Sequence, residues 1–337
     1  MGQDVNVTST KTYPDGEIAV SIIILSYNHE RYIRQTIESV LMQKVNFFYE
    51  ILVGDDASSD ATPQILKEYS QNYPGLFRIF FREKNLGATR NSYEMLTFAK
   101  GKYIANLDGD DFWTDKNKLQ TQVDFLESHP EYIACSHREL LVDENGRPTS
   151  LKRPFFVSNK KVFTLRDFKG IYLPGGTSSL VKRNIFLRPE HDYSILYKAH
   201  PMISDLTSAM IFLSHGNFYR IDRIMGCYRR VLKKGGGNIL SLYIANVEHI
   251  YDDYSYASKL CEYAKNVLHI DAGLDGRKKM IFANAVCSFM TRPNGVNYKV
   301  MSAIFREEGR PLSYILYLPV AILKKIWMKL RLSCHRD

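Results

Sequence analysis

The run of nine mostly apolar and β-branched residues from Ile18 to Ser26 (IAVSIIILS) constrains the fold more than any other feature. Such a near-continuous run is typical of a parallel strand that is buried on both faces. An amphipathic stretch from about His29 to Gln43 follows, with apolar residues at helical spacing, and a second strand is predicted at Tyr49 to Val53. The order of strand, helix and strand therefore predicts a right-handed crossover within one sheet.

The same alternation continues and predicts an α/β layer of the nucleotide-binding kind. Thr62 is predicted to be the N-cap of a second helix, because Pro63 suits the first helical position. The further elements expected here are a helix to about Tyr73, a strand at Phe77 to Phe81, a helix from about Ala88 to Lys100 and a strand at Lys102 to Leu107.

After this layer, strands and helices continue to about residue 235, and from Ile239 onward the pattern indicates helices alone. A helix is expected at Lys118 to Ser128, and Tyr132 to Val142 is expected to be a strand at an antiparallel end of the sheet. The mixed part closes with a strand at Leu180 to Lys182, a helix at Ser204 to Phe212 and a strand at Asn217 to Ile224. We predict four parts: a flexible N-terminus at 1–16, an α/β domain at 17–235, a helical region at 236–310 and a basic amphipathic tail at 311–337.

Composition limits the class of protein and the kind of partner. The 337 residues, 45% of them hydrophobic, are enough for a large core. A formal net charge of +9 indicates anionic partners, which by charge alone include nucleic acid, anionic lipid and phosphorylated substrates. Five cysteines without metal-ligand spacing, and a polar N-terminus that lacks a signal-peptide core, predict a cytoplasmic catalytic region.

A cluster of three aspartates, Asp108, Asp110 and Asp111, follows the fourth predicted strand. Asp55 and Asp56 follow the second strand in the same way, and ligands bind at the carboxyl ends of strands in open α/β sheets. Carboxylates at alternate positions suit a hard cation, Mg²⁺ or Mn²⁺, that also binds phosphate oxygens. The alternative is a solvated turn that caps the next helix.

Four segments carry a resemblance to one family: VSIIILSYN at 20–28, ILVGDDASSDAT at 51–62, NLGATRN at 85–91 and LDGDDFWTDKNKL at 107–119. In order and spacing they resemble the family-two inverting glycosyltransferases of the GT-A fold. The resemblance covers about residues 17–232 and implies an α/β fold with a mostly parallel central sheet flanked by helices, followed here by a helical C-terminal region. It also implies a nucleotide-diphosphate sugar donor, expected to be uridine-based, and a divalent metal, Mg²⁺ or Mn²⁺.

The resemblance implies roles for residues of the donor site. Ser26 and Tyr27 are expected to lie against the nucleotide, and Asp56 to accept a hydrogen bond from its base. The chemistry agrees, because a tyrosine ring stacks on a base and a carboxylate accepts from an imide N–H. Arg90 is expected to pair with the acidic cluster or the diphosphate, and the alternative is a surface arginine on a helix.

Within the acidic cluster, the resemblance assigns the metal to Asp110 and places Asp108 near the ribose and the metal. Asp111 either supports this arrangement or lines the sugar pocket. A metal there neutralises the charge that develops on the leaving nucleoside diphosphate.

An inverting transfer also needs a base for the proton of the acceptor hydroxyl, and the resemblance points to Asp205 in HPMISDLTSAMIFLSHGNFYRI. The alternative is that Asp205 only caps its helix, with Glu190 and Asp192 as further candidates for the base. Tyr228 and Arg229 are expected at the start of a basic flexible loop, KKGGGN, over the diphosphate, or of a solvated loop.

The tail at 311–337 starts with an apolar run that is too short and proline-broken to span a bilayer. Past Pro319 a helix would carry apolar residues on one face and basic residues around it, which is typical of a helix lying on an anionic membrane. The alternative is a helix docked on the protein itself. With no nucleic-acid recognition motif in the sequence, we expect a peripheral protein at the inner face of the membrane and no nucleic-acid partner.

The expected activity is transfer of a hexosyl or N-acetylhexosaminyl group to a hydroxyl of a saccharide or lipid-linked acceptor, in the synthesis of a cell-surface polysaccharide or glycan. The alternative is a non-catalytic module of the same fold that binds sugar nucleotides or glycans. A nucleotidyltransferase is disfavoured, because it needs a basic, glycine-rich loop where this chain has SYNHERY.

Overall fold

The computed structural model describes residues 6–8, 18–150, 156–230, 249–291, 293, 295–307 and 312–319. The chain divides into two compact units. The first comprises residues 1–168 and 172–238, and the second comprises residues 169–171 and 239–337. The segments predicted as a basic loop at 233–238 and as a tail beyond residue 319 lie outside the described residues.

The first unit alternates strands and helices. Its strands are β1 (Asn6–Thr8), β2 (Val20–Ser26), β3 (Tyr49–Asp55), β4 (Phe77–Phe81), β5 (Tyr103–Asp108), β6 (Phe112–Trp113), β7 (Tyr132–Val142), β8 (Val162–Phe163), β9 (Val181–Arg183) and β10 (Asn217–Arg229). Its helices are α1 (Ile33–Leu41), α2 (Thr62–Asn72), α3 (Ala88–Phe98), α4 (Lys118–Ser128), α5 (Leu165–Phe168), α6 (Ile195–Lys198) and α7 (Asp205–His215), with a 3₁₀ turn η1 at Thr177–Ser179.

The ten described strands form one sheet in the order β1-β4-β3-β2-β5-β9-β7-β10-β6, with β8 also paired to β10. Six strands run in the same direction: β2, β3, β4, β5, β7 and β10. The short strands β1, β6, β8 and β9 run the opposite way. The sheet is therefore mostly parallel, as the sequence predicts.

The central strand β2 is buried on both faces, which is why its sequence is almost continuously apolar. Val20, Ile22, Ile23 and Ile24 are fully buried. The apolar faces of the flanking helices α1, α2 and α4 join the same core. This packing fixes the carboxyl ends of β2, β3 and β5 side by side.

Several predictions about the sheet were wrong in detail. The end of the sheet that carries β7, expected to be antiparallel, is mixed: β7 runs antiparallel to the three-residue β9 but parallel to β10. The strand predicted at Asn217 to Ile224 continues to Arg229, because β7 and the two-residue β6 supply ladder partners for its second half. Thr62 is the first residue of α2 rather than its N-cap, because its hydroxyl accepts the backbone N–H of His29.

The second unit contains three longer helices, α8 (His249–Asn266), α9 (Leu274–Thr291) and α10 (Gly295–Glu307), and residues 312–319 are also helical. Tyr254, Phe282, Ile304 and Tyr314 contribute to a core of its own. None of the helices in the described ranges is long and apolar enough to cross a bilayer.

Candidate active site at the carboxyl edge of the sheet

Three predicted site segments meet at one edge of the sheet because their strands are neighbours in register. Ser26 of β2 pairs with Asp55 of β3, and Leu25 pairs with Asp108 of β5. The backbone N–H of Asp56 donates to the carbonyl oxygen of Ser26 at 2.9 Å. The sheet thus brings the two acidic segments and the end of β2 together at its carboxyl edge.

The acid turn, residues 108–111, is held from the helix side by a buried threonine. The Thr36 hydroxyl of α1 lies 2.9 Å from the carbonyl oxygen of Gly109 and 2.7 Å from that of Asp111. The N–H of Gly109 donates to the carbonyl of Leu25 at 2.8 Å. These hydrogen bonds fix the backbone of the turn that follows β5.

Asp111 supports the turn from inside the protein. Its side chain is buried, one carboxylate oxygen accepts the Ser178 hydroxyl at 2.5 Å, and the other accepts the backbone N–H of Arg229 at 2.8 Å. Burial raises its pKa, as do the charges of Asp110 and Asp108, and these two hydrogen bonds oppose that rise. Of the two roles considered from sequence, this geometry corresponds to support of the turn.

Asp108 and Asp110 are the partly exposed acids of the turn. Burial raises the pKa of Asp108 well above the usual range of a carboxyl group, and the charges of Asp110, Asp205 and Glu139 add to the effect. Within the described ranges no group of three or more His, Cys, Asp or Glu side chains is arranged to hold a metal by itself. Two crowded carboxylates nevertheless fit a divalent cation that takes its remaining oxygens from a diphosphate.

The loop at 174–179 connects this turn to the late acid. Thr177 and Ser178 are consecutive residues of η1, and the Thr177 hydroxyl donates to Asp205 Oδ1 at 3.1 Å while Ser178 donates to Asp111. The indole N–H of Trp113 fixes the loop by donating to the carbonyl of Ser178 at 3.0 Å. The small-residue loop expected from sequence is therefore a structured bridge between two carboxylates.

Asp205 is the first residue of α7 and remains open to solvent. Partial burial raises its pKa, and the Thr177 hydroxyl and the charge of Lys182 oppose that rise. Lys182 is itself buried, with its ammonium group 4.6 Å from the ring centre of Phe212 in α7, and burial lowers its pKa to about 8. The neighbouring cation favours the ionised form of Asp205, which is the form that can accept a proton.

The opposite side of the edge is formed by Tyr27 and Asp56. The Tyr27 side chain is half exposed and available for stacking. Both oxygens of the buried Asp56 carboxylate accept backbone N–H groups, from Leu86 at 2.7 Å and from Gly87 at 3.0 Å. Burial raises the pKa of Asp56, and these N–H groups and Arg82 oppose the rise. Asp56 therefore shapes the loop that enters α3.

Comparison with known proteins identifies the α/β unit. Residues 21–188 match the glycosyl transferase family 2. The chain carries a family 2 glycosyltransferase domain. Rv1520, an uncharacterized protein of Mycobacterium tuberculosis, is 43% identical over 131 residues, which are 39% of this chain and 38% of that protein. The minor teichoic acid biosynthesis protein GgaA of Bacillus subtilis is 34% identical over 163 residues, 47% of this chain and 36% of that protein.

The chain thus spans little more than a third of the length of these two curated relatives. Among solved structures, S. aureus TarS 1-349 in complex with UDP-GlcNAc aligns with a TM-score of 0.58 over 84% of this chain and 78% of that chain, at 19% identity. This likeness shows the fold. The family resemblance and the GT-A fold class expected from sequence are both confirmed.

Two residues that the sequence associates with the family 2 domain lie in surroundings other than the expected ones. Arg90 is half exposed, with its Nε 3.2 Å from Glu94 one turn along α3 and its guanidinium 5.8 Å from the Tyr197 ring centre. None of its described contacts is with the acid turn. Arg229, expected at the start of a loop, is instead the buried last residue of β10.

Of the two further candidates for the base, Asp192 has a local role. The carboxylate of Asp192 accepts both the N–H and the hydroxyl of Ser194 at 2.8 Å, at the start of the short helix α6. Asp192 also lies 3.9 Å from Lys198. These contacts account for the position of Asp192 without giving it a role in the candidate site.

Sequence reasoning missed a further acid of the family 2 domain, Glu139 of β7. Its carboxylate packs against the backbone of Gly176, where any side chain would overlap it, and its charge raises the pKa of Asp108. The strand pattern of β7 gave no sign of this, because the residue lies in a half-buried stretch of ordinary β periodicity. The one available signal was the pair of glycines at 175 and 176, which indicates close approach of another group.

Proposed function

We propose that the chain is a metal-assisted inverting glycosyltransferase that moves a hexosyl or N-acetylhexosaminyl group from a nucleotide-diphosphate donor, most simply a UDP-sugar, to an acceptor hydroxyl. The observation that carries the proposal is the bridge formed by Thr177 and Ser178. These consecutive residues hold Asp205 and Asp111, so that a candidate base and the acid turn belong to one site.

The donor nucleotide would lie across the carboxyl ends of β2 and β3. Tyr27 would stack on the base, with Ser26 and Asp56 beside the nucleotide, and Asp108 would lie near the ribose. Asp110, with Asp108, would hold Mg²⁺ or Mn²⁺, and Arg90 would reach the diphosphate only after leaving Glu94. When bound, the cation supplies positive charge beside the diphosphate oxygens.

Asp205 would perform the proton transfer. As the acceptor oxygen bonds to the anomeric carbon, its proton passes to the Asp205 carboxylate, and the electron pair of the broken bond stays on the nucleoside diphosphate. Attack from the face opposite the leaving group inverts the anomeric centre. Lys182 and Thr177 favour the ionised carboxylate that this step requires.

The names of the relatives and the chain's own charge support the proposed acceptor class. GgaA is named for minor teichoic acid biosynthesis, which supports a saccharide or lipid-linked acceptor in the synthesis of a cell-surface polysaccharide. A net charge of +9 and the basic sequence beyond residue 319 support work at an anionic, cytoplasmic membrane surface.

A donor screen tests the proposal. The full chain is incubated with UDP-, GDP- and dTDP-sugars, with Mn²⁺ or with EDTA, and release of nucleoside diphosphate is measured with and without saccharide acceptors. We expect turnover of a UDP-sugar that depends on the divalent cation. Tight binding without turnover of any donor would instead favour a non-catalytic sugar-nucleotide or glycan-binding module.

A further inference from the structure

The last residue of β10, Arg229, holds two consecutive residues of the acid turn. Its Nε donates to the backbone carbonyl of Asp110 at 2.7 Å, and its own backbone N–H donates to Asp111 Oδ1 at 2.8 Å. The side chain is buried, with 2% of the residue exposed. One residue therefore fixes both the main chain and the supporting carboxylate beside the predicted metal ligand.

The rest of the guanidinium group connects the turn to two other parts of the domain. Nη1 donates to the carbonyl oxygens of Asp143 at 3.2 Å and Glu144 at 3.0 Å, in the turn after β7. Nη2 donates to Gln35 Oε1 at 2.7 Å, on α1. The guanidinium group of Arg229 thus connects α1, the turn after β7 and the acid turn.

Two aromatic rings restrict the plane of this guanidinium group. The guanidinium carbon lies 4.5 Å from the ring centre of Tyr32 and 5.4 Å from that of Phe112. Rings at these distances stabilise a buried cation and limit its rotation. The Arg229 guanidinium group is therefore held in one orientation beside the acid turn.

The chemical type of the acceptors that the guanidinium group binds matters for metal binding at the acid turn. In the described part of the chain they are backbone carbonyls and an amide oxygen, so Arg229 places a positive charge beside the acid turn without occupying the carboxylate oxygens of Asp108 or Asp110. Those oxygens stay available to a cation. A lysine could not reproduce this, because an ammonium group lacks the planar fork that reaches three directions at once.

We propose that Arg229 is a positioning residue that sets the geometry of the acid turn for a divalent cation bound together with the donor diphosphate. The inference rests on the proposed function, since it assumes a metal at Asp110. Groups that orient metal ligands typically change metal affinity by about 10-fold to 100-fold when altered. The effect should therefore appear in metal binding itself.

The experiment measures Mn²⁺ binding to the full chain with saturating UDP, by electron paramagnetic resonance of free Mn²⁺, and UDP binding in EDTA by calorimetry. We expect Arg229→Lys to weaken Mn²⁺ binding by about 10-fold or more, with UDP binding in EDTA within twofold of wild type. Asp110→Asn serves as the reference for loss of the ligand itself. A thermal unfolding curve for each variant records stability.

Arg183→Lys is the matched control. Arg183, on β9, also uses its guanidinium group to bind backbone carbonyls, those of Leu126, His129 and Tyr132, but it lies level with the start of β5 rather than with its acidic end. This control should lose stability and keep its Mn²⁺ affinity. Equal Mn²⁺ affinities of Arg229→Lys and wild type would overturn the inference.

A second variant covers the case in which Arg229→Lys does not fold. Gln35→Met removes the acceptor of Nη2 at an exposed position of α1 and leaves the acids untouched. We expect Mn²⁺ binding to weaken several-fold, and unchanged binding would overturn the inference. A wild-type chain that binds UDP with no divalent dependence would overturn both the metal proposal and the inference, so the two failures are distinguishable.

Discussion

At the scale of single residues, Asp56 and Asp111 differ from Asp108 and Asp110 in where their carboxylate oxygens point. Both oxygens of Asp56 and of Asp111 accept hydrogen bonds from the chain itself. A buried carboxylate with such donors fixes the backbone of its neighbours, because moving it would leave a charge without partners. Asp108 and Asp110 are the acids that this framework presents at the surface.

Gly109, between the two presented acids, gives a residue-scale prediction. A Cβ there would lie 2.5 Å from His29 Nδ1 and 2.9 Å from the carbonyl oxygen of Leu25. Because the backbone oxygen of β2 cannot move far, we expect Gly109→Ala to displace the acid turn and to destabilise the domain by about 1–3 kcal/mol. Titration with Mn²⁺ and UDP should show affinity weakened by about tenfold or more.

Gly276→Ala is the control for this change, because a Cβ at Gly276 in α9 meets nothing within 4 Å. In that helix alanine should be neutral or slightly stabilising. If Gly109→Ala unfolds at the wild-type temperature and keeps wild-type affinity, the rigid turn described above is wrong.

At the scale of elements, the sequence predicted the long strands and helices well. The bounds of β4, α4 and β7 agree with the prediction, because each has a clear apolar period and a glycine, proline or polar stop. Of the short antiparallel strands, β6 was missed, and β9 was expected one residue earlier, at Leu180 to Lys182. Two or three residues carry no periodicity, and their pairing depends on distant partners.

The position of Arg229 illustrates the same limit within the site. Its sequence context, a run of basic residues and glycines, indicates a solvated loop, whereas pairing with β7 extends β10 as far as that residue. Asp205 and the acid turn could be found from sequence because a family pattern marks them. Their connection through Thr177 and Ser178 could not, since it depends on how the chain places Ser178 against Asp108, a residue 70 positions earlier.

The helix at 312–319 gives a prediction about binding to membranes. Its apolar stripe, Leu312, Ile315 and Leu316, is exposed, whereas Tyr314 on the other side is buried. The sequence that follows is basic and apolar. We expect the triple change of the stripe to glutamine to weaken binding to anionic vesicles by at least about tenfold, because each leucine-sized side chain buried in lipid contributes about 1.5 kcal/mol or more.

Met290→Gln is the matched control for the stripe, since Met290 is a still more exposed apolar residue of the same unit. Vesicle sedimentation with and without anionic lipid measures the binding. Equal sedimentation of the triple variant and the wild type would rule out the stripe as the contact surface.

At the scale of the whole molecule, the two units have separate cores, and the family match lies within the first unit except for residues 169–171. The parallel neighbours β2, β3 and β5 explain why candidate site residues from three distant segments can share one edge.

The central claim is that this molecule transfers a sugar with Asp205 as the base, and the Asp205→Asn variant tests it most directly. Asparagine keeps the volume, can still accept the Thr177 hydroxyl and suits the start of a helix, but it cannot take up a proton. With the donor found in the screen, the transfer rate should fall by about two to four orders of magnitude, while the affinity for the metal and nucleotide and the unfolding temperature stay near wild type. Transfer within a few-fold of the wild-type rate would contradict the account.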